Sequence, residues 1–300
     1  MYINSKKRFS LRLIIAALFA IVALIITVVS IIGKTDPSEL KVSKNDDIIR
    51  VLDVGQGDSI LVSSNGKHLL IDAGTSIGAD SLCSKLRGYG VKTIDVLLLT
   101  HFHNDHAGGI EAITDRFNVE SLIYPDSAKS DQMDAAAVNA KKNVLASDGE
   151  FYVATQGMSI ELGDFEITVL GYYSDLTEEN NRSIIVMIKL GYSKFLMMAD
   201  AEEEAENALL KENIDLKCDV IKIAHHGSSS SSSEEFLKAA NPKTAVISCG
   251  AGNAFLHPHE DTIKALYEKD ISVFRTDLNG DITFSVTGND IEIECEKPLD

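Results

Sequence analysis

Residues 94–109 read IDVLLLTHFHNDHAGG, and this stretch decides the fold. Its first seven residues form a largely apolar run, as expected for a strand buried on both faces. Directly after it, His101, His103, Asp105 and His106 fall within six residues. Gly108-Gly109 then opens a segment with helical spacing to residue 117. A strand, a tight turn and a helix bring such side chains together. Imidazole nitrogen and carboxylate oxygen are the donor set of zinc and similar borderline ions. Four such groups buried without a shared partner would each carry a desolvation cost, so the spacing predicts a metal site.

The pattern recurs outward from this turn. His225-His226-Gly227-Ser228 closes another apolar run, and His257-Pro258-His259 precedes a helical segment at 260–269. Seven of the eight histidines lie in these three motifs, and the eighth, His68, falls in a β-rich run. Asp200 ends the run FLMMAD, where it suits both an N-cap for a helix at 201–211 and a metal-bridging carboxylate. Strands are predicted at 48–54, 59–62 and 68–71, with Asn65-Gly66 as a hairpin turn, then a helix at 80–89. Further strands are predicted at 158–170, 183–190 and 194–198. Strand–helix pairs follow at 219–224 with 233–240 and at 244–248 with 260–269, and strands at 271–274, 281–286 and 291–295 close the chain. Interleaved strands and helices define one layered α/β domain over 48–300. The six serines 228–233 read as a loop.

The N-terminal end has a different character. Residues 13–33, LIIAALFAIVALIITVVSIIG, carry no charge and are long enough for a spanning helix. Lys6, Lys7, Arg8 and Arg12 precede them, so 1–12 is predicted as a cytoplasmic tail and 13–33 as a transmembrane anchor. Residues 34–47 are a polar linker, and the domain lies outside the cell membrane. A cleaved signal peptide is the rival reading, disfavoured by the length and by the lack of an A-x-A site.

Composition narrows the function. The 300 residues have a net charge of −17, and removing the five bases of residues 1–34 leaves −22. That excludes a simple basic module that coats nucleic acid. It does not exclude an enzyme that meets phosphates through cations. Cys83, Cys218, Cys249 and Cys295 are scattered without C-x-x-C spacing, which excludes a zinc knuckle and leaves buried thiols as the ordinary expectation.

H-x-H-x-D-H-x-G-G after a strand, with a later strand-end Asp and strand-end His, resembles the metallo-β-lactamase superfamily. Finer motifs are similar to the hydrolase domain of the competence DNA-uptake protein family ComEC. They are residues 51–59 (VLDVGQGDS), 70–74 (LIDAG), 180–183 (NNRS), 225–228 (HHGS), 250–253 (GAGN), 257–259 (HPH) and 276–280 (TDLNG). The resemblance implies a four-layer αβ/βα sandwich with two metal ions at the edge of its sheets, usually zinc and sometimes manganese. By position, His101 and His103 would hold one ion, Asp105 and His106 the other, and Asp200 would bridge them. One of His225 and His226 would complete the second site, with His225 preferred as nearer the strand end. The superfamily's further His before the bridging Asp is absent, and Gly171 stands about where it is expected. The first ion would therefore be short of a ligand.

In such sites a bound ion acidifies water towards a pKa of about 7. Asp105 would orient that nucleophile, while His257 or His259 would grip a phosphate or protonate the leaving oxygen. Asp53, Asp58 and Asp72 are expected beside the ligand histidines, and Ser228 at the substrate. The expected activity is a membrane-anchored, metal-dependent phosphodiesterase or nuclease, with DNA a candidate substrate. The alternatives are a hydrolase of a small lactam, lactone or other ester, and a non-catalytic metal-dependent surface binding protein.

Overall fold

The computed structural model describes residues 47–126 and 135–297. The basic tail, the anchor predicted at 13–33 and nearly all of the linker lie outside the described residues. Among the described residues, no helix is long and apolar enough to cross a membrane.

In chain order the strands are β1 (Asp47–Val51), β2 (Ile60–Ser64), β3 (Lys67–Ile71), β4 (Thr93–Leu98), β5 (Asn118–Tyr124), β6 (Glu150–Val153), β7 (Ser159–Leu162), β8 (Phe165–Gly171), β9 (Ile185–Leu190), β10 (Ser193–Met197), β11 (Val220–Lys222), β12 (Thr244–Ile247), β13 (Ser272–Arg275), β14 (Ile282–Thr287) and β15 (Asp290–Cys295). The principal helices are α1 (Ala79–Gly88), α2 (Ile110–Arg116), α3 (Ala135–Ala146), α4 (Glu203–Lys211), α5 (Glu234–Ala240) and α6 (Glu260–Tyr267). One sheet has the order β15-β14-β1-β2-β3-β4-β5-β6, the other β13-β12-β11-β10-β9-β8-β7. In the first, β3 to β6 pair in parallel; in the second, β10 to β13 do.

Period-two alternation sorts the side chains into layers. On β2, Ile60 and Val62 face the opposite sheet, while Leu61 faces the helices. On β3, Leu69 and Ile71 point inward and Leu70 outward. Between the sheets Phe195 meets Phe284 edge to face, with centroids 5.7 Å apart. Outside the first sheet, Leu82, Ile113 and Val144 of α1 to α3 pack on Leu70 and Leu97. Outside the second, Leu209, Phe236 and Leu266 of α4 to α6 pack on Leu196 and Ile221. The layers run helix, sheet, sheet, helix, which is the expected αβ/βα sandwich.

The expected elements are present with three changes. Asp47, assigned to the linker, opens β1. The strand predicted at 158–170 is a hairpin, β7 and β8, because the chain reverses around Gly163 at φ +60°. Finally, β5, α3 and β6 occupy a stretch for which the sequence suggests no element. The α3 segment AAAVNAKKNVLA lacks a polar–apolar contrast, and β6 is mostly exposed at a sheet edge, so neither shows periodicity. The Asn65-Gly66 turn is as expected, with both residues at positive φ as a two-residue hairpin turn needs. All four cysteines are free thiols, three of them buried.

Candidate metal centre

The parallel strands β4, β10, β11 and β12 end on one side, and the loops beyond those ends carry the histidine and aspartate motifs. Ligand sites in such sheets form outside the carboxyl ends of the strands. After β4 the chain is pinned to Asp72: Thr100 donates to it through its N–H (2.8 Å) and its hydroxyl (2.7 Å). The short helical turn Asn104–Ala107 then carries Asp105 and His106. Gly57 packs so closely beneath it that a Cβ would stand 2.3 Å from the Asp105 carbonyl oxygen, at φ +144°. The next residue, Asp58, donates its N–H to that same oxygen. The VGQGDS motif is therefore a backbone seat for the histidine turn.

One donor atom from each of Asp105, His106, Asp200 and His226 lies within 4.8 Å of all the others. His106 Nδ1 is 2.7 Å from Asp72 Oδ2, and its Nε2 is 3.2 Å from Asp200 Oδ1. His226 Nδ1 is 3.0 Å from the Ser248 carbonyl oxygen, and its Nε2 is 3.1 Å from Asp105 Oδ2 and 3.6 Å from Asp200 Oδ2. Each ring has an oxygen acceptor at both nitrogens, one more than a neutral imidazole can serve. His106 Nε2 and Asp200 Oδ1 are buried and face each other at 3.2 Å without a well-aligned hydrogen bond. A buried site with surplus acceptors and two such poorly satisfied atoms can hold a cation, and this N/O donor set fits zinc or manganese.

The electrostatics agree. Burial opposes charge on Asp105, but the His226 hydrogen bond and nearby His106 hold its carboxyl down at about 2. Burial also opposes the imidazolium of His226, yet Asp200, Asp105 and Asp58 push it up to about 9. His106 rises well above the usual range, against its burial, through Asp200 and Asp72.

His101 and His103 stand at the edge of this cluster. His101 Nδ1 is 3.1 Å from the Thr100 hydroxyl oxygen, which already donates to Asp72, so the ring donates there and leaves Nε2 as an acceptor. That Nε2 is 3.2 Å from His103 Nδ1 and 3.9 Å from Asp200 Oδ2. Among the described residues, His101 links His103 on one side to the shared Asp200 on the other. Gly171 lies against Tyr173, Leu209 and Ile185.

Of the two adjacent histidines, it is His226 and not His225 that lies in the cluster. His225 and His226 both have positive φ, 47° and 54°, and this left-handed step sends the second ring into the cluster. His225 instead puts Nδ1 3.0 Å from Glu202 and 3.3 Å from Ser230, with Nε2 4.0 Å from Asp200. Asp72 faces His106, as expected, and Asp58 lies 3.5 Å from His226 Nδ1. Asp53 does not reach a ligand histidine: it accepts from the Gly55 N–H and lies 3.6 Å from Lys297. His257 is buried, its Nδ1 has no partner, and its ring is 5.4 Å from His225 and 6.1 Å from His226. Burial and the neighbouring histidines push it down to about 4, which favours the neutral ring. His259 is committed elsewhere: Nδ1 accepts from the Ser229 N–H (2.9 Å) and Nε2 donates to the Phe255 carbonyl (3.2 Å). Ser228 is buried and hydrogen-bonded to Ser230, so the first serines form a held turn.

Three residues were not anticipated. Lys222 is fully buried with Nζ 2.6 Å from Asp58 Oδ2, tying one sheet to the other beneath His226. A lone lysine in the apolar run VIKIA was the signal for it. Thr100 and Ser183 bracket His101; Ser183 closes the NNRS motif, but neither short hydroxyl side chain signals that contact.

The profile of the metallo-beta-lactamase superfamily matches residues 52–251. ComE operon protein 3 of Bacillus subtilis is 31% identical over 255 residues, covering 79% of this chain and 32% of that protein. Exodeoxyribonuclease WalJ of Streptococcus pneumoniae is 24% identical, covering 54% of this chain and 60% of that one. The metallo-beta-lactamase fold protein YhfI of Bacillus subtilis superposes with a TM-score of 0.51 at 14% identity, covering 77% of this chain and 96% of that one. A four-layer sandwich with a buried histidine–aspartate cluster at its strand ends defines a metal-dependent hydrolase scaffold, and this chain belongs to the metallo-beta-lactamase superfamily. Within it the chain is similar to the ComEC-like competence proteins, spanning about a third of ComE operon protein 3.

Proposed function

We propose that this protein is a membrane-anchored, metal-dependent phosphodiesterase acting on nucleic acid, with DNA as the favoured substrate. The observation that carries the hydrolase reading is the Asp105–His106–Asp200–His226 cluster, with its two poorly satisfied atoms. Those four residues would hold one ion, and His101, His103 and Asp200 a second. A divalent ion bound there supplies Lewis acidity, lowering the pKa of water and neutralising charge on a phosphoryl oxygen. Asp105, ionised at neutral pH, orients the attacking water by accepting its hydrogen bond. Asp72 fixes the His106 ring by accepting from Nδ1, and the Ser248 carbonyl does the same for His226. Neutral His257 offers a hydrogen bond to a substrate oxygen.

Similarity to an exodeoxyribonuclease and to competence proteins supports a phosphodiester over a lactam or lactone. Residues 13–33 would hold the domain at the outer membrane face, tail inward. The test is a parallel assay of one preparation, supplied with zinc or manganese, on a bis-aryl phosphodiester, single-stranded and duplex DNA, a lactam and a lactone. Metal-dependent cleavage confined to the phosphodiesters is expected. Turnover of the lactam or lactone alone would replace this reading with the small-ester one. Metal binding without turnover of any substrate would leave a binding protein, the reading towards which the three-residue second site points.

A further inference from the structure

We propose that Phe255, at the rim of the metal cluster, is a stacking platform for the nucleobase beside the scissile phosphodiester. The proposal deepens the phosphodiesterase reading and rests on it for the nucleotide nature of the substrate. Phe255 is 63% exposed. One face of its ring lies on His257, with centroids 5.7 Å apart and planes 24° apart. The His257 ring in turn lies 5.4 Å from His225 and 6.1 Å from His226. A chain of rings thus leads from solvent to the cluster. His257 is only 9% exposed and its Nδ1 has no partner.

The loop holding Phe255 is fixed from both ends. Asn253 Oδ1 accepts from the N–H groups of Phe255 (3.1 Å) and His257 (3.0 Å). Its Nδ2 donates to the carbonyls of Gly250 (2.9 Å) and His257 (2.6 Å). The Phe255 carbonyl accepts from His259 at 3.2 Å. Leu256 alongside is 80% exposed and held at φ +60°, a conformation disfavoured for a branched side chain. The backbone is clamped while the ring stays in water, the reverse of what burial of apolar area would select. A pre-ordered aromatic face beside a phosphate-handling site matches how proteins hold single-stranded nucleic acid, by base stacking without sequence readout.

The chain has no tryptophan, so Phe255→Trp introduces a single indole reporter. The probes are a phosphorothioate oligothymidylate and an abasic oligonucleotide of equal length and charge, added to the full chain. The expected result is quenching of the indole by oligothymidylate and not by the abasic strand. In a label-based binding assay, Phe255→Ala and Phe255→Leu should each weaken oligothymidylate binding roughly tenfold, with abasic binding unchanged. Equal quenching by both strands, or unaltered binding by both variants, would overturn the platform. Wild-type cleavage of a bis-aryl phosphodiester is followed in parallel. Base-dependent quenching without cleavage would remove the hydrolase reading and keep the platform, and cleavage with base-independent binding would do the reverse.

Discussion

His106 and His226 each face an oxygen at both ring nitrogens, so protons and metal ions compete for the same positions. His226 sits at about 9 in the absence of metal, so below that pH an ion must displace its proton. Metal affinity should therefore rise with pH across neutrality, by up to about tenfold per unit for each histidine proton displaced. Calorimetry in buffers of different ionisation enthalpy should show proton release on binding at pH 7. The left-handed step at 225–226 distinguishes the two histidines. His226→Ala should abolish stoichiometric metal retention, whereas His225→Ala should retain most of it, as read by elemental analysis. Beneath them Lys222 neutralises Asp58 in a site sealed from water. Burial opposes the charge on Asp58, but Lys222, His226 and His106 together keep it ionised, well below the usual carboxylate range. Lys222→Met leaves that charge unpaired, and denaturant unfolding should show a loss of about 3–5 kcal/mol.

At the level of elements, what positions the site is backbone contact as much as side chains. The loop after β1 reaches the histidine turn only because residue 57 has no side chain. Gly57→Ala must move the Asp105 carbonyl or the loop, and should cost on the order of 3 kcal/mol in urea unfolding while also loosening metal binding. The strand–turn–helix around His101 was legible because a two-sided buried strand, a dense donor cluster and Gly-Gly are each uncommon, and here they coincide. The Asn65-Gly66 hairpin was legible for a similar reason. The choice of His226 was not, since it depends on two consecutive positive φ values at non-glycine residues, which packing imposes and composition does not signal. Asp53 and His259 looked like site residues by type and spacing, but their hydrogen bonds serve the local turns. The β5–α3–β6 stretch was silent because an edge strand and an alanine-rich helix carry little periodic contrast.

At the level of the whole molecule, two sheets with three principal helices on each outer face leave one set of strand ends free, and the cluster occupies it. The strongly acidic chain gives no long-range attraction for a polyanion. Binding would then depend on bound cations and on local contacts such as Phe255. The proposed anchor predicts that the full chain sediments with membranes and resists alkaline carbonate extraction, while residues 35–300 remain soluble. The central claim is that the Asp105–His106–Asp200–His226 cluster binds the ion that makes this fold a hydrolase. It is tested most directly by titrating metal-stripped protein with zinc or manganese while recording bound metal and phosphodiester cleavage together. Cleavage should rise in step with bound metal, saturate at one or two ions per chain, and vanish with metal binding in His226→Ala. Cleavage that persists in the stripped protein, or metal bound at full stoichiometry by His226→Ala, would contradict it.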